Sequence, residues 1–187
     1  PEIVFSGLRI AGQGVMDGYS LQVEINLAYA HLQDVHATGA VVGNGDGLRF
    51  ADLNVSHLDA LLTGEGQLDW QEGLAWQAEA SGMGIDPGAW HPQWPGLLDF
   101  KVSTFGALKG DAAQSTIELV ALDGVLRDYP LQASGQVAMV NNTLIIDHLS
   151  FRSAESVLQA SGRYGDRVDL DFNLQSPDLA SLWPGAA

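Results

Sequence analysis

The stretch Val168-Asp169-Leu170-Asp171-Phe172-Asn173-Leu174-Gln175 alternates apolar and polar residues without a fault. Successive side chains of an extended strand point to opposite faces. This spacing therefore predicts a half-buried strand with Val168, Leu170, Phe172 and Leu174 on one side and carboxylates and amides on the other. Leu21-Gln22-Val23-Glu24-Ile25-Asn26-Leu27 repeats the pattern, and looser versions run at Leu48–Val55, Leu68–Trp70, Leu74–Ala78, Leu98–Val102, Ile117–Leu119, Val137–Met139 and Leu144–Phe151.

Turn chemistry separates these runs. Gly43-Asn44-Gly45-Asp46-Gly47, Gln71-Glu72-Gly73, Asn141-Asn142 and Gly165-Asp166 all favour tight reversal, so hairpin after hairpin is expected. The 22 glycines are scattered singly, which suits many short strands ended by turns. Helical character is confined to Asp86-Pro87 and Ser176-Pro177, where a capping side chain precedes a proline suited to a first helical turn; each predicts one or two turns at most. The fold class is all-β.

Repetition extends this picture. Leu131-Gln132-Ala133-Ser134-Gly135 recurs letter for letter as Leu158-Gln159-Ala160-Ser161-Gly162, with a looser copy at Ala78-Glu79-Ala80-Ser81-Gly82. A longer unit ends in Trp94-Pro95-Gly96 and again in Trp183-Pro184-Gly185, dividing the chain into pseudo-repeats of roughly 1–96 and 97–187. Hairpin repeats bury their apolar faces by adding to neighbours, which points to one elongated stacked sheet over 1–187.

Composition limits the partners. Hydrophobic residues make up 46% of the chain and charged residues 17%, enough to fold without disorder. The 23 acidic residues against 8 basic ones give a net charge of -15, which repels a nucleic-acid backbone and an anionic membrane surface. No cysteine is present, so disulfides and thiolate chemistry are excluded. The chain opens at Pro1 and holds no run of about 18 apolar residues; it is expected to be a piece of a longer protein.

Catalytic patterns are missing. His31, His36, His57, His91 and His148 are dispersed without metal-site spacing. Asn44-Gly45-Asp46-Gly47 begins like a calcium loop but lacks the later glutamate, and a hairpin turn explains it better. No phosphate-cradling glycine motif precedes a helix. A non-enzymatic protein without cofactor or metal is the expectation. Among the tryptophans, Trp70 and Trp76 sit in strand phase, whereas Trp90, Trp94 and Trp183 are expected to plug the helical turns against the sheet.

Leu68-Asp69-Trp70, Leu74-Ala75-Trp76, Gly84-Ile85-Asp86-Pro87, Trp94-Pro95-Gly96-Leu97-Leu98 and Phe105-Gly106, in that order, resemble a signature from the middle of the TamB family. Leu122-Asp123-Gly124, Leu131, Ser134-Gly135, Ser161-Gly162, Ser176-Pro177-Asp178-Leu179 and Trp183-Pro184-Gly185 resemble the unit that follows it, so that the likeness covers about Leu62 to Ala187. The resemblance implies a periplasmic protein of a Gram-negative bacterium, anchored in the inner membrane outside this segment. Its sheet would be antiparallel or mixed, curled into an open, taco-like trough with a hydrophobic concave face. The resemblance also implies an outer-membrane partner, TamA, and transport of phospholipids, with outer-membrane protein and autotransporter assembly as the alternative role.

For such a trough the strand alternation supplies a candidate lipid-facing set: Val23, Ile25 and Leu27; Phe100 and Val102; Ile117 and Leu119; Leu144 and Ile146; and Val168, Leu170, Phe172 and Leu174. The same period would equally fill a sandwich or barrel core. An open trough also leaves edge strands that are expected to pair with another copy of the fragment.

Overall fold

Every segment that alternates becomes a strand, and so do most of the segments between them. The computed structural model describes residues 3–15, 17–29, 32–110 and 112–177. They form one antiparallel sheet of twelve strands: β1 (Ile3–Val15), β2 (Gly18–Tyr29), β3 (Leu32–Gly43), β4 (Gly47–His57), β5 (Ala60–Asp69), β6 (Leu74–Ile85), β7 (Gly96–Lys109), β8 (Ala112–Leu126), β9 (Tyr129–Val140), β10 (Thr143–Ser153), β11 (Ser156–Tyr164) and β12 (Val168–Gln175). Spatial order equals chain order from β1 to β12, so the sheet is a pure meander and carries no parallel pair. Substantial contact between strands joins sequence neighbours alone; β1 and β12 do not close a barrel, and no second sheet lies over the first. The sandwich alternative is thereby excluded for the described residues.

One 3-10 turn, Pro87–Ala89, interrupts the strands in the long connection from β6 to β7. Asp86 caps it, its Oδ1 accepting from the backbone N–H of Gly88 at 2.8 Å and of Gly96 at 2.9 Å, which ties both ends of the connection to one carboxylate. The second expected helical turn, after Ser176-Pro177, lies outside the described residues, as does Trp183. Across the boundary between the two pseudo-repeats the sheet runs on without a break, β6 pairing β7 from Leu74 opposite Leu108 to Ile85 opposite Leu98.

The pairing register sorts side chains into two faces. Residues directly opposite on neighbouring strands share a face. One row therefore runs Leu8, Ile25, Ala37, Val55, Leu62, Gly82, Phe100, Leu122, Ala133, Phe151, Leu158, Leu174 across all twelve strands without a polar side chain. A second row runs Gly12, Leu21, Val41, Phe50, Gly66, Ala78, Thr104, Ile117, Val137, Ile146, Gly162, Leu170. Its one hydroxyl, Thr104 Oγ1, donates to the Thr116 carbonyl at 2.9 Å and so adds no free polar group.

This apolar face is the inside of a curve. The residues classed as buried, Val35, Gly82, Leu98, Leu131, Gly135, Ser153, Ser156 and Ala160, all lie on it, and Leu131 keeps only 3% of its surface. With no second sheet, this cover comes from neighbouring side chains on the same face and, at the margin of Leu98, Leu131, Ser153 and Ser156, from the turns beside them, Ser156 Oγ lying 2.7 Å from Ser176 Oγ. The bend has a local cause. β4, β8 and β10 each carry one extra residue, Asp52, Val120 and Asp147, which shifts the register against both neighbours. Such bulges bend a strand and sharpen its twist. The outer face carries the polar set, with exposed ion pairs Arg9–Glu24 at 3.6 Å, Arg49–Glu65 at 3.8 Å and Lys101–Glu79 at 3.5 Å.

Candidate functional site: the apolar inner face

Glycine shapes this surface. Gly64 and Gly66 in β5, Gly82 in β6, Gly106 in β7 and Gly135 in β9 lie inside strands, correcting the expectation that glycine would chiefly mark turns. A Cβ placed on Gly82 would overlap the ring of Phe100, one on Gly106 would overlap Trp76, and one on Gly66 would meet Phe50. Each missing side chain thus leaves a berth in which an aromatic ring from the next strand lies across the sheet. The copied pentapeptides do the same work: Ala133 faces Phe151, Ala160 faces Phe172, and Gly82 faces Phe100. Large opposite small lets a curved face fill without forcing side chains out of their rotamers.

The register places all thirteen sequence-selected positions on this face: Val23, Ile25 and Leu27 in β2, Phe100 and Val102 in β7, Ile117 and Leu119 in β8, Leu144 and Ile146 in β10, and Val168, Leu170, Phe172 and Leu174 in β12. Ile117, Val168, Phe172 and Leu174 are among the more exposed, the last three because β12 has a neighbour on one side only. The same face also holds Phe50, Val55, Leu62, Trp76, Leu98, Leu122, Leu131, Val137, Phe151 and Leu158, which the candidate lipid-facing set left out. Six of them lie within the alternating runs; Leu62, Leu122, Leu131 and Leu158 lie in the parts of strands that those runs did not reach. No Asp, Glu, Lys or Arg holds an in-register place on the inner face among the described residues.

Two tryptophans depart from expectation. Trp70 lies just past β5, half-exposed in the turn, where its Nε1 donates to the Gly45 carbonyl at 2.7 Å and latches neighbouring hairpins together. Trp90 is 49% exposed, so half of its surface stays in solvent. Trp94 lies beneath the Arg127 guanidinium, 5.5 Å from its ring centroid.

Two sizeable hollows are lined chiefly by other residues. One of about 990 Å³ opens by the turns at Asp17, Asn44 and Gln71, and one of about 460 Å³ lies against Phe105, Gln77, Gln114 and Val140. Volume alone would favour the first, but it is shallow and ringed by Asp17, Asp46, Asp69 and Arg49, with no apolar lining that converges on a ligand. Among the described residues no three His, Asp or Glu side chains gather as a metal-binding group, and no helix is long and apolar enough to cross a membrane.

A model of the TamB N-terminal domain matches residues 1–187 in full. The chain belongs to the TamB family. That match assigns it to the domain described as N-terminal, whereas the residue signature pointed to the middle of TamB proteins. Translocation and assembly module subunit TamB of Haemophilus influenzae is 25% identical over 132 residues, 70% of this chain and 10% of the relative, so the chain spans about a tenth of that TamB protein. No solved structure matches the chain.

Proposed function

We propose that this TamB-family segment is a non-catalytic stretch of a periplasmic lipid bridge, whose inner face shields phospholipid acyl chains from water between the inner and outer membranes. The observation that carries the proposal is the row from Leu8 to Leu174, apolar on each of twelve consecutive strands and covered by no second sheet among the described residues. A phospholipid exposes about thirty methylenes; at about 0.8 kcal/mol each, crossing water unprotected costs about 24 kcal/mol. Twelve strands spaced about 4.8 Å apart make a surface about 50 Å long, more than the ~30 Å hydrocarbon thickness of a bilayer. A face free of charge and of specific polar partners suits cargo that slides. In the full-length protein the surface would continue through neighbouring segments, with an inner-membrane anchor and an outer-membrane TamA partner lying outside this one.

Lipid extraction from detergent-free protein tests this. Sub-stoichiometric mixed phospholipids are expected to co-purify, and Leu170→Asp is expected to lower their amount about tenfold with the fold retained, whereas Asp169→Asn on the outer face leaves it unchanged. Equal effects of the two substitutions would end the proposal.

A second role, scaffolding of outer-membrane proteins, draws on the edges of β1 and β12, unpaired among the described residues, each of which offers backbone groups to an added strand. The Haemophilus influenzae relative is named as a subunit of a translocation and assembly module, in keeping with that role. It predicts saturable binding of outer-membrane strand peptides in place of lipid. The same edges make the isolated fragment prone to pair with a second copy.

A further inference from the structure

The turns at the ends of the strands form two margins along the sheet. On the margin holding Leu58, Trp90 and Ala154, the described turn residues include the carboxylates Asp59, Asp86, Asp128 and Glu155 and a single Lys or Arg, Arg127. Arg127 nonetheless forms no ion pair among the described residues. Its backbone N–H donates to Pro95 O at 2.7 Å, its guanidinium stacks over Trp94, and its Nη1 is buried without an acceptor, while the side chain as a whole stays partly exposed. The other donors of the fork, Nε and Nη2, are neither buried nor bonded among the described residues, so they are open to a ligand.

The backbone adds a second oddity. Arg127 and Asp128 fill a two-residue hairpin loop between Leu126 and Tyr129, with φ of 54° and 68°. Asn-Gly is the pair that such a loop favours, so an arginine here is held against local preference. Immediately below it lie Gly124 opposite Leu131 and Leu98 opposite Gly124, and both leucines are buried on the inner face.

We infer that Arg127, held in place by Trp94, anchors the phosphate of a lipid whose acyl chains lie on the inner face. This rests on the lipid-bridge proposal and adds to it a point of headgroup recognition. A guanidinium presents a planar fork that fits phosphate oxygens, and stacking on an indole keeps that fork oriented while leaving its edge to donate. The donors that the phosphate oxygens meet are Nε and Nη2, which are open to solvent, while the buried Nη1 stays against the protein.

The test offers detergent-free protein vesicles holding equal amounts of dioleoyl phosphatidylcholine and dioleoylglycerol, which share acyl chains and differ in the phosphate headgroup. Wild type is expected to take up the phospholipid with about tenfold preference, the ratio that a charge-assisted hydrogen bond supports. Arg127→Asn suits the left-handed loop, so the hairpin is kept; it is expected to take up both lipids equally, with dioleoylglycerol uptake unchanged. Arg127→Lys keeps part of the preference, and Trp94→Leu loses most of it. A preference that survives in Arg127→Asn overturns the anchor. Wild-type uptake of neither lipid overturns the lipid bridge itself. Inorganic phosphate alone is expected not to saturate the protein at millimolar concentration; saturation that Arg127→Asn abolishes would assign the residue to free phosphate and overturn its role toward lipid.

Discussion

The two faces of this sheet are built from neighbouring residues of the same strands, yet they obey different packing rules. On the inner face Phe100 has a berth prepared at Gly82, Trp76 has one at Gly106, and Leu131 is almost wholly covered. On the outer face Lys101 reaches diagonally to Glu79, both side chains about half exposed, and little depends on the contact. The difference teaches that stability in a one-layer sheet is stored where curvature brings side chains together, so one side acts as a core although nothing covers it. The open side does not weaken this, because convergence replaces the missing second sheet.

Two paired substitutions and a single one would break or sharpen that contrast, each read by chemical denaturation. Leu131→Ala removes the most buried aliphatic side chain and is expected to cost about 3 kcal/mol, while its outer-face neighbour Gln132→Ala stays within about 0.5 kcal/mol of wild type. If the two cost the same, the inner face is no core. Gly82→Leu drives a side chain into the space of Phe100 and is expected to cost about 2 kcal/mol, against less than about 0.5 kcal/mol for Ser81→Leu; a neutral Gly82→Leu would mean that Phe100 rotates away freely and that the berth is dispensable. Smallest of all, Lys101→Ala is expected to cost less than about 0.5 kcal/mol, with the loss vanishing at high salt. A larger, salt-resistant loss would show that the outer face carries structural weight after all.

Alternation made the all-β class and the apolar side of each strand legible, since period two reports which residues share a face wherever pairing is regular. Val168 to Leu174 and Val23 to Leu27 fall on one surface for this reason. Strand lengths were far less legible. Ile117–Leu119 is the middle of a strand that runs from Ala112 to Leu126, and Val137–Met139 is the end of one that starts at Tyr129. The missing parts hold Gly124, Ala133 and Gly135, small residues that the inner face needs opposite large ones and that erase the hydrophobic signal. Bulges hid the rest, because Asp52, Val120 and Asp147 each displace the alternation by one place, and no residue type announces them. Trp70 misled for a simpler reason: it continues the phase of Leu68 one step beyond the last strand residue, where an indole N–H finds a carbonyl in the next turn.

The strict nearest-neighbour order of the strands has a consequence for assembly. A chain threaded in one direction through a translocation channel would expose each new hairpin beside the only surface it is meant to join, so no strand has to wait for a distant partner. Growth by hairpin also uncouples reach from cross-section: every added pair of strands extends the surface by about 10 Å and leaves its width and curvature as they were. A lineage could thus lengthen the surface by duplicating hairpins, and the identical pentapeptides in β9 and β11 fit such copying.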